Sequence, residues 1–519
     1  MVASLRVRVG SAGGRHLLSF APMRSTIAAP LAWLLTTGCL PDNPSVADGQ
    51  ADAGSDAETG GTDGDARVED GLLGCPSGES CTIIALSQTI DDRVELFSAA
   101  GPGARYRGAL DLDLQPNSGG DISGDQLDEP YGLAWDGQDL HVLVGHYPTR
   151  QRGSLLSFPA GSLAEFAQGS LVANSEWFAG GTSTTLGVRL TPLEREEPLS
   201  MVVHPPTGEL LIAAFNNDLL VPDVGWTTSS ELLRLNPAAS SSPRATELDC
   251  AGAWSIVALD HDADAVAFAC DGDESVVIVD SSTLANGEAP IARCVADIPF
   301  ADKRVRYLAP DGLGGVIVGE SPPIVSASED ARMWWFDGDC ELRGFTVLEG
   351  ATSWELRELV LVPADSDPDS DPGSDPASDP DAGDPRWLLA RADGDERGVV
   401  ILAGDPSDGT ITPCGRVDAL DQVGAWTAKG GDSPLRPHAL ALTRDGHGLA
   451  VGVGPATYAN AGPGYGSLWW VEFDDPQDAC ELSALETVEL GAAAPAVDPD
   501  LPQTWRRAPD AIEIIEVGP

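Results

Sequence analysis

The sequence predicts an all-β chain of repeated four-stranded units that close into a ring, and three observations predict it. From residue 81 onward, short apolar runs alternate with Gly, Asp and Pro turns, the pattern of strands joined by hairpins. Residues 131–145 (YGLAWDGQDLHVLVG) align without gaps on residues 438–452 (HALALTRDGHGLAVG), and residues 305–319 (VRYLAPDGLGGVIVG) share their length and central turn. The two ends of the chain carry complementary parts of one further unit.

Each copy is an apolar strand, a polar turn and a second apolar strand. Copies begin near Tyr131, Leu199, Trp254, Val305, Leu356 and His438. A third strand follows each pair, at 155–158, 232–235, 276–279, 333–336, 399–402 and 468–471, with a fourth after it. Residues 82–87, 94–97 and 104–112 supply second, third and fourth strands with no first, and residues 509–517 (PDAIEIIEV) supply a first strand with nothing after it. Joining them leaves no open edge. Across residues 73–519 the chain therefore resembles the broad WD40-like and YVTN-like superfamily. That resemblance implies a seven-bladed β-propeller closed by the C-terminal strand completing the N-terminal blade, and it implies a fold without a function.

The N-terminal segment is of a different kind. Met23-Arg24, an apolar stretch over 27–35 and Thr36-Thr37-Gly38-Cys39 form a charged, apolar and small-residue series too short to span a membrane. It resembles a bacterial lipoprotein signal, occupying residues 1–39 with Met23 as the true start; that resemblance implies acylation of Cys39. Residues 40–72 are acidic and poor in apolar side chains, which predicts a disordered tether. A second acidic segment, residues 364–385 (ADSDPDSDPGSDPASDPDAGDP), interrupts a hairpin as a solvated, disordered insert. These features place the protein outside the cytoplasm, anchored at the cell envelope, at the outer membrane or cell surface.

Charge and cysteines narrow the partners. The 519 residues include 81 acidic and 30 basic side chains, a formal net charge of −51. Such a surplus repels phosphates, so nucleic acid is excluded, and membrane contact is expected only through the lipid. Cys39 apart, the cysteines are Cys75, Cys81, Cys250, Cys270, Cys294, Cys340, Cys414 and Cys480. An even set in an exported chain predicts disulfides, with Cys75–Cys81 and Cys250–Cys270 favoured. Cys294, Cys340, Cys414 and Cys480 recur at equivalent places in successive units, a spacing too wide for bonds, and are expected as buried free thiols.

No phosphate loop, nucleophile elbow or zinc spacing is present, so binding is favoured over catalysis. Loops entering first strands and leaving second strands share one face in this architecture, and here they are long. Arg150, Arg152, Arg189, Arg195, Lys303, Arg304, Arg306, Arg357, Lys429, Arg436, Arg506 and Arg507 map to that face. Arg306, Arg357, Arg436, Tyr131, Trp254, Trp505 and Arg506 are the ligand-binding candidates, a cationic and aromatic mouth for a protein or glycan. His438 and Asp510, starting adjacent first strands, are the catalytic candidates, as a general base pair. The alternative is a hydrolase or lyase-type propeller with a metal held in the channel. No resident cofactor is expected; the Asp-Pro repeat offers only weak Ca²⁺ ligation. A monomer is expected.

Overall fold

The computed structural model describes residues 73, 75, 81–88, 93–99, 104–112, 130–145, 153–165, 188–193, 197–221, 225–237, 242–259, 265–280, 292–294, 304–321, 330–361, 386–394, 398–405, 409–417, 435–443, 448–455, 467–472 and 509–517. The signal, the tether and the Asp-Pro insert lie outside these residues. So do Cys39, Cys480, Trp505 and Arg506.

Strands carry nearly all of the described chain, in seven antiparallel sheets. β1 (Cys81–Gln88), β2 (Arg93–Ala99) and β3 (Ala104–Asp111) come first. β4 (Pro130–Trp135), β5 (Asp139–Val144), β6 (Ser154–Pro159), the short helix α1 (Ala160–Glu165) and β7 (Arg189–Pro192) follow. The next sheet holds β8 (Glu197–Val203), β9 (Leu210–Val221), β10 (Gly225–Leu235) and β11 (Arg244–Leu248). Then come β12 (Ala253–Ala258), β13 (Ala265–Cys270), β14 (Ser275–Asp280) and β15 (Ala292–Cys294). β16 (Arg304–Pro310), β17 (Val316–Ser321), β18 (Ala331–Phe336) and β19 (Leu342–Leu348) form the fifth group. β20 (Ala351–Leu361), β21 (Arg386–Gly394), β22 (Gly398–Asp405) and β23 (Thr410–Val417) form the sixth. β24 (Leu435–Leu442), β25 (Gly448–Pro455) and β26 (Ser467–Glu472) make a sheet of three among the described residues.

The final strand, β27 (Pro509–Val517), returns to pair with β1 from Cys81↔Val517 to Gln88↔Pro509. The first and last parts of the chain thus share one sheet in the order β27-β1-β2-β3. The first strands β4, β8, β12, β16, β20, β24 and β27 adjoin one another in that order, and β27 adjoins β4. The architecture is an all-β propeller.

The apolar core is divided among the seams between neighbouring sheets. Ile83 and Leu96 pack on Leu133, Leu140 and Val142. Trp334 and Phe336 pack on Ala267 and Ile278, while Trp335 and Trp354 pack on Leu388 and Leu402. Each such side chain contributes roughly 1.5–3 kcal/mol on burial, so the seams hold the sheets in place. Gly319 shows how close they come: a Cβ there would lie 2.6 Å from the Trp354 carbonyl oxygen of the next sheet.

Three disulfides lie wholly within the described residues. Cys75–Cys81 and Cys250–Cys270 form as expected. Cys294–Cys340 overturns the expectation of free thiols, with Cα atoms 4.7 Å apart. Both residues face the same seam: Cys294 is buried in it and Cys340 packs against it from the turn before β19, at φ 64°. Equivalence along the repeat measures distance along the strands, whereas this bond crosses sideways between sheets. Cys414 is disulfide-bonded too. Bonds of this number mark a protein folded in an oxidising compartment, hence exported. No helix among the described residues is long and apolar enough to cross a membrane.

Candidate functional site

The two ends of the sheets differ in what their side chains do. At the hairpin end, first strands turn into second strands. Asp136 accepts hydrogen bonds from the amides of Gln138 and Asp139 at 2.8 and 2.7 Å, and meets His141 Nε2 at 3.0 Å. Burial alone would raise the Asp136 carboxyl, but hydrogen bonds from His141 and from these two amides outweigh it and hold it at about 2. Asp311 accepts from Leu313, Gly315 and the Trp335 indole. His204 pairs with Thr207, and Glu209 accepts from Arg234 and Arg244. His204 is wholly buried. Arg189, assigned from the sequence to the opposite face, starts a fourth strand here and pairs with Asp139.

Ser157, His141 and Asp136 line up as a nucleophile, base and acid would, with Ser157 Oγ 2.9 Å from His141 Nδ1. Ser157 is 3% exposed and His141 0%, so the set is sealed from any substrate. It is a structural clamp.

The opposite end, where first strands begin, is the mouth. Every first strand breaks its register with the second strand at the same place, by a one-residue bulge. The residues at the break are Tyr131, Leu199, Trp254, Arg306, Thr352 and His438, with Asp510-Ala511 set against Ser87 in β27. All are half-buried. A bulge re-aims a side chain and increases the local twist. Its sequence signal is the residue before it, which is Pro130, Pro198, Pro437 or Pro509 in four of the seven cases. Proline lacks the amide that a regular ladder would use, so it is tolerated where pairing is interrupted. Gly145 serves the same end: a Cβ there would come 2.8 Å from the Tyr131 ring.

Five of these bulge residues were candidates from the sequence: Tyr131, Trp254, Arg306, His438 and Asp510. Arg357 is the residue at a second bulge in β20, between Leu356 and Glu358, and Arg436 pairs with Gly454 in β24. The side chains of Arg357 and Arg436 lie outside the described residues, as do Trp505 and Arg506 entirely.

Two clusters stand at the mouth. The Arg306 guanidinium lies 3.8 Å from the centroid of the Trp254 ring and 3.3 Å from Asp271, at the end of β13. Arg391 pairs with the buried Glu355 and donates from Nη1 to His438 Nδ1 at 3.4 Å. Arginine carries no acceptor, so this contact places the Nδ1 lone pair toward Arg391 and leaves the ring proton on Nε2. Asp271, Glu355 and Arg391 were missed in the sequence; Asp271 directly follows a second strand, Glu355 lies within a first and Arg391 within a second, where the repeat offers no marker.

Polar satisfaction also separates the ends. Gln88 Oε1, Ser255 Oγ, Arg306 Nε and Ser353 Oγ are buried without a hydrogen-bond partner, all of them beside the mouth. Among the described residues no group of three or more His, Cys, Asp or Glu side chains is placed to hold a metal ion.

No protein-family model matches the chain, and no curated protein is significantly similar to it. Solved structures do align with it. A periplasmic gluconolactonase from Pseudomonas aeruginosa aligns at 13% identity over 84% of this chain and 99% of its own, with a TM-score of 0.46. A Bacteroides uniformis protein named as a 6-phosphogluconolactonase aligns at 13% over 84% of this chain and 100% of its own, with a TM-score of 0.44. Hydrazine synthase from Kuenenia stuttgartiensis aligns at 12% over 78% of this chain and 98% of its own, with a TM-score of 0.43. The activities in these names differ from one another and belong to those proteins.

Proposed function

We propose that this is a seven-bladed propeller, one blade per sheet, held at the cell envelope by a lipid on Cys39, which binds a protein partner at its mouth and performs no chemistry there. The observation that carries the reading is the bulge repeated in all first strands. A bulge recurring at one level of every unit sets a ring of half-buried side chains at one end of the channel. Its Tyr131, Trp254 and Arg306 are the residue types that dominate the energetics of protein interfaces. Those types favour a protein over a glycan.

Photo-crosslinking tests this in the intact, membrane-anchored chain. Benzophenone-bearing residues are placed at Tyr131 at the mouth and at Leu313, 63% exposed at the hairpin end. One discrete adduct from Tyr131 and none from Leu313 is expected. Adducts at both sites, or only at Leu313, would remove the mouth from the account. The enzyme alternative is separated by metal analysis of the purified protein, where one tightly held divalent ion per chain would displace the binding reading.

A further inference from the structure

We propose that the sector of the mouth between β12 and β16 receives a single carboxylate, the free C-terminus of a partner chain whose neighbouring residues are apolar or basic. The proposal rests on the mouth reading above and adds the chemistry of one subsite. Trp254 and Arg306 are the bulge residues of adjoining first strands, and the shared bulge brings guanidinium over indole at 3.8 Å. Stacking fixes the plane of the guanidinium, which is what in-plane, bidentate recognition of a carboxylate needs. Asp271 holds only one nitrogen, Nη2, at 3.3 Å, longer than the roughly 2.7–2.9 Å of a close charge-assisted bond. The neighbouring donor Nε is buried and has no acceptor. Ser255, next to Trp254, brings a second buried polar atom without a partner, its hydroxyl oxygen.

A donor and a hydroxyl left over beside a stacked cation call for an acceptor, and a carboxylate has two oxygens to offer. The charge of the whole chain decides which carboxylate. A net −51 repels a polyanion long before contact, so acidic glycans and Asp/Glu-rich peptides are disfavoured. A chain terminus carries one negative charge, and apolar or basic residues behind it carry none against the field. Capture of a terminal carboxylate is an established mode of peptide recognition.

The probe is a pool of random octapeptides in two forms, free acid and C-terminal amide, passed over the immobilised full-length protein and quantified by mass spectrometry. Free acids are expected to be retained about tenfold or more over amides, the size of a lost hydrogen bond to a charged group. Arg306→Gln should abolish that preference. Arg306→Lys, which keeps the charge without the planar fork, should retain only part of it. Equal retention of acids and amides, no retention of either, or an unchanged preference in a folded Arg306→Gln protein would overturn the subsite. The mouth reading stands or falls separately, on the adduct at Tyr131.

Discussion

The hairpin end and the mouth are made of the same strands, yet they treat polar groups in opposite ways. At the hairpin end Asp136, Asp311, Thr207 and Thr443 each accept from nearby backbone amides, and no buried side-chain nitrogen or oxygen among the described residues there lacks a partner. At the mouth a guanidinium nitrogen, two hydroxyls and an amide oxygen are buried without one. An unmet buried polar group costs about 1–3 kcal/mol. One end is tuned for stability, and the other carries the cost of its unmet groups.

Four experiments sharpen or break this contrast. The largest effect is expected from the Cys294–Cys340 bridge, which closes a separation of 46 residues. Cys294→Ala with Cys340→Ala should lower unfolding stability in urea by about 4 kcal/mol, from the loop-entropy relation. Loss of mouth binding in that variant under native conditions would show that the ends are coupled through the seam. Next is Asp311→Ala. It leaves the Leu313 and Gly315 amides and the buried Trp335 indole without their acceptor and should cost about 3 kcal/mol. Peptide retention by this variant should be unchanged; a matching drop in both would erase the division of labour.

The third concerns acid. The Asp136 carboxyl is held at about 2 in the folded chain, below the 3.8 of an unperturbed aspartate. A depressed carboxyl contributes stability that is present in full above the unfolded value and is lost as pH falls through the folded one. About 2 kcal/mol should therefore disappear between roughly pH 4 and pH 2. Thermal melts over that range would show it, and Asp136→Asn should melt with a shallower acid slope. The smallest effect belongs to the mouth: Ser255→Ala and Ser353→Ala should each raise stability by about 1 kcal/mol, because each removes a buried hydroxyl that has no partner. A cost above about 1 kcal/mol in urea denaturation would mean that the mouth is as tightly satisfied as the hairpin end.

Much of the fold was legible because strand alternation and repetition are properties of neighbouring residues. The closing strand could be read from the alternation in PDAIEIIEV, and its bounds, Pro509–Val517, hold. The bulge ring was half legible. Tyr131, Trp254, Arg306, His438 and Asp510 were picked by residue type and place. Leu199 and Thr352 were passed over because nothing in a leucine or threonine signals a re-aimed side chain. The recurrent proline before the bulge was the available signal. Arg189 was misplaced because a fourth strand begins at the end opposite to a first. Cys294–Cys340 escaped because lateral distance between two sheets has no counterpart in spacing along a chain. The Arg391–His438 contact escaped for the same reason.

The staple at Cys75–Cys81 has a mechanical consequence. Cys81 opens β1 opposite Val517, at the extremity far from Pro509 and the bulges. Leu361 and Arg386, which flank the segment bearing the Asp-Pro repeat, pair at that same extremity. Traction along the leading part of the chain reaches the domain at Cys75, and the covalent loop hands it to a strand clamped between β27 and β2. Pulling there shears two ladders at once instead of peeling one.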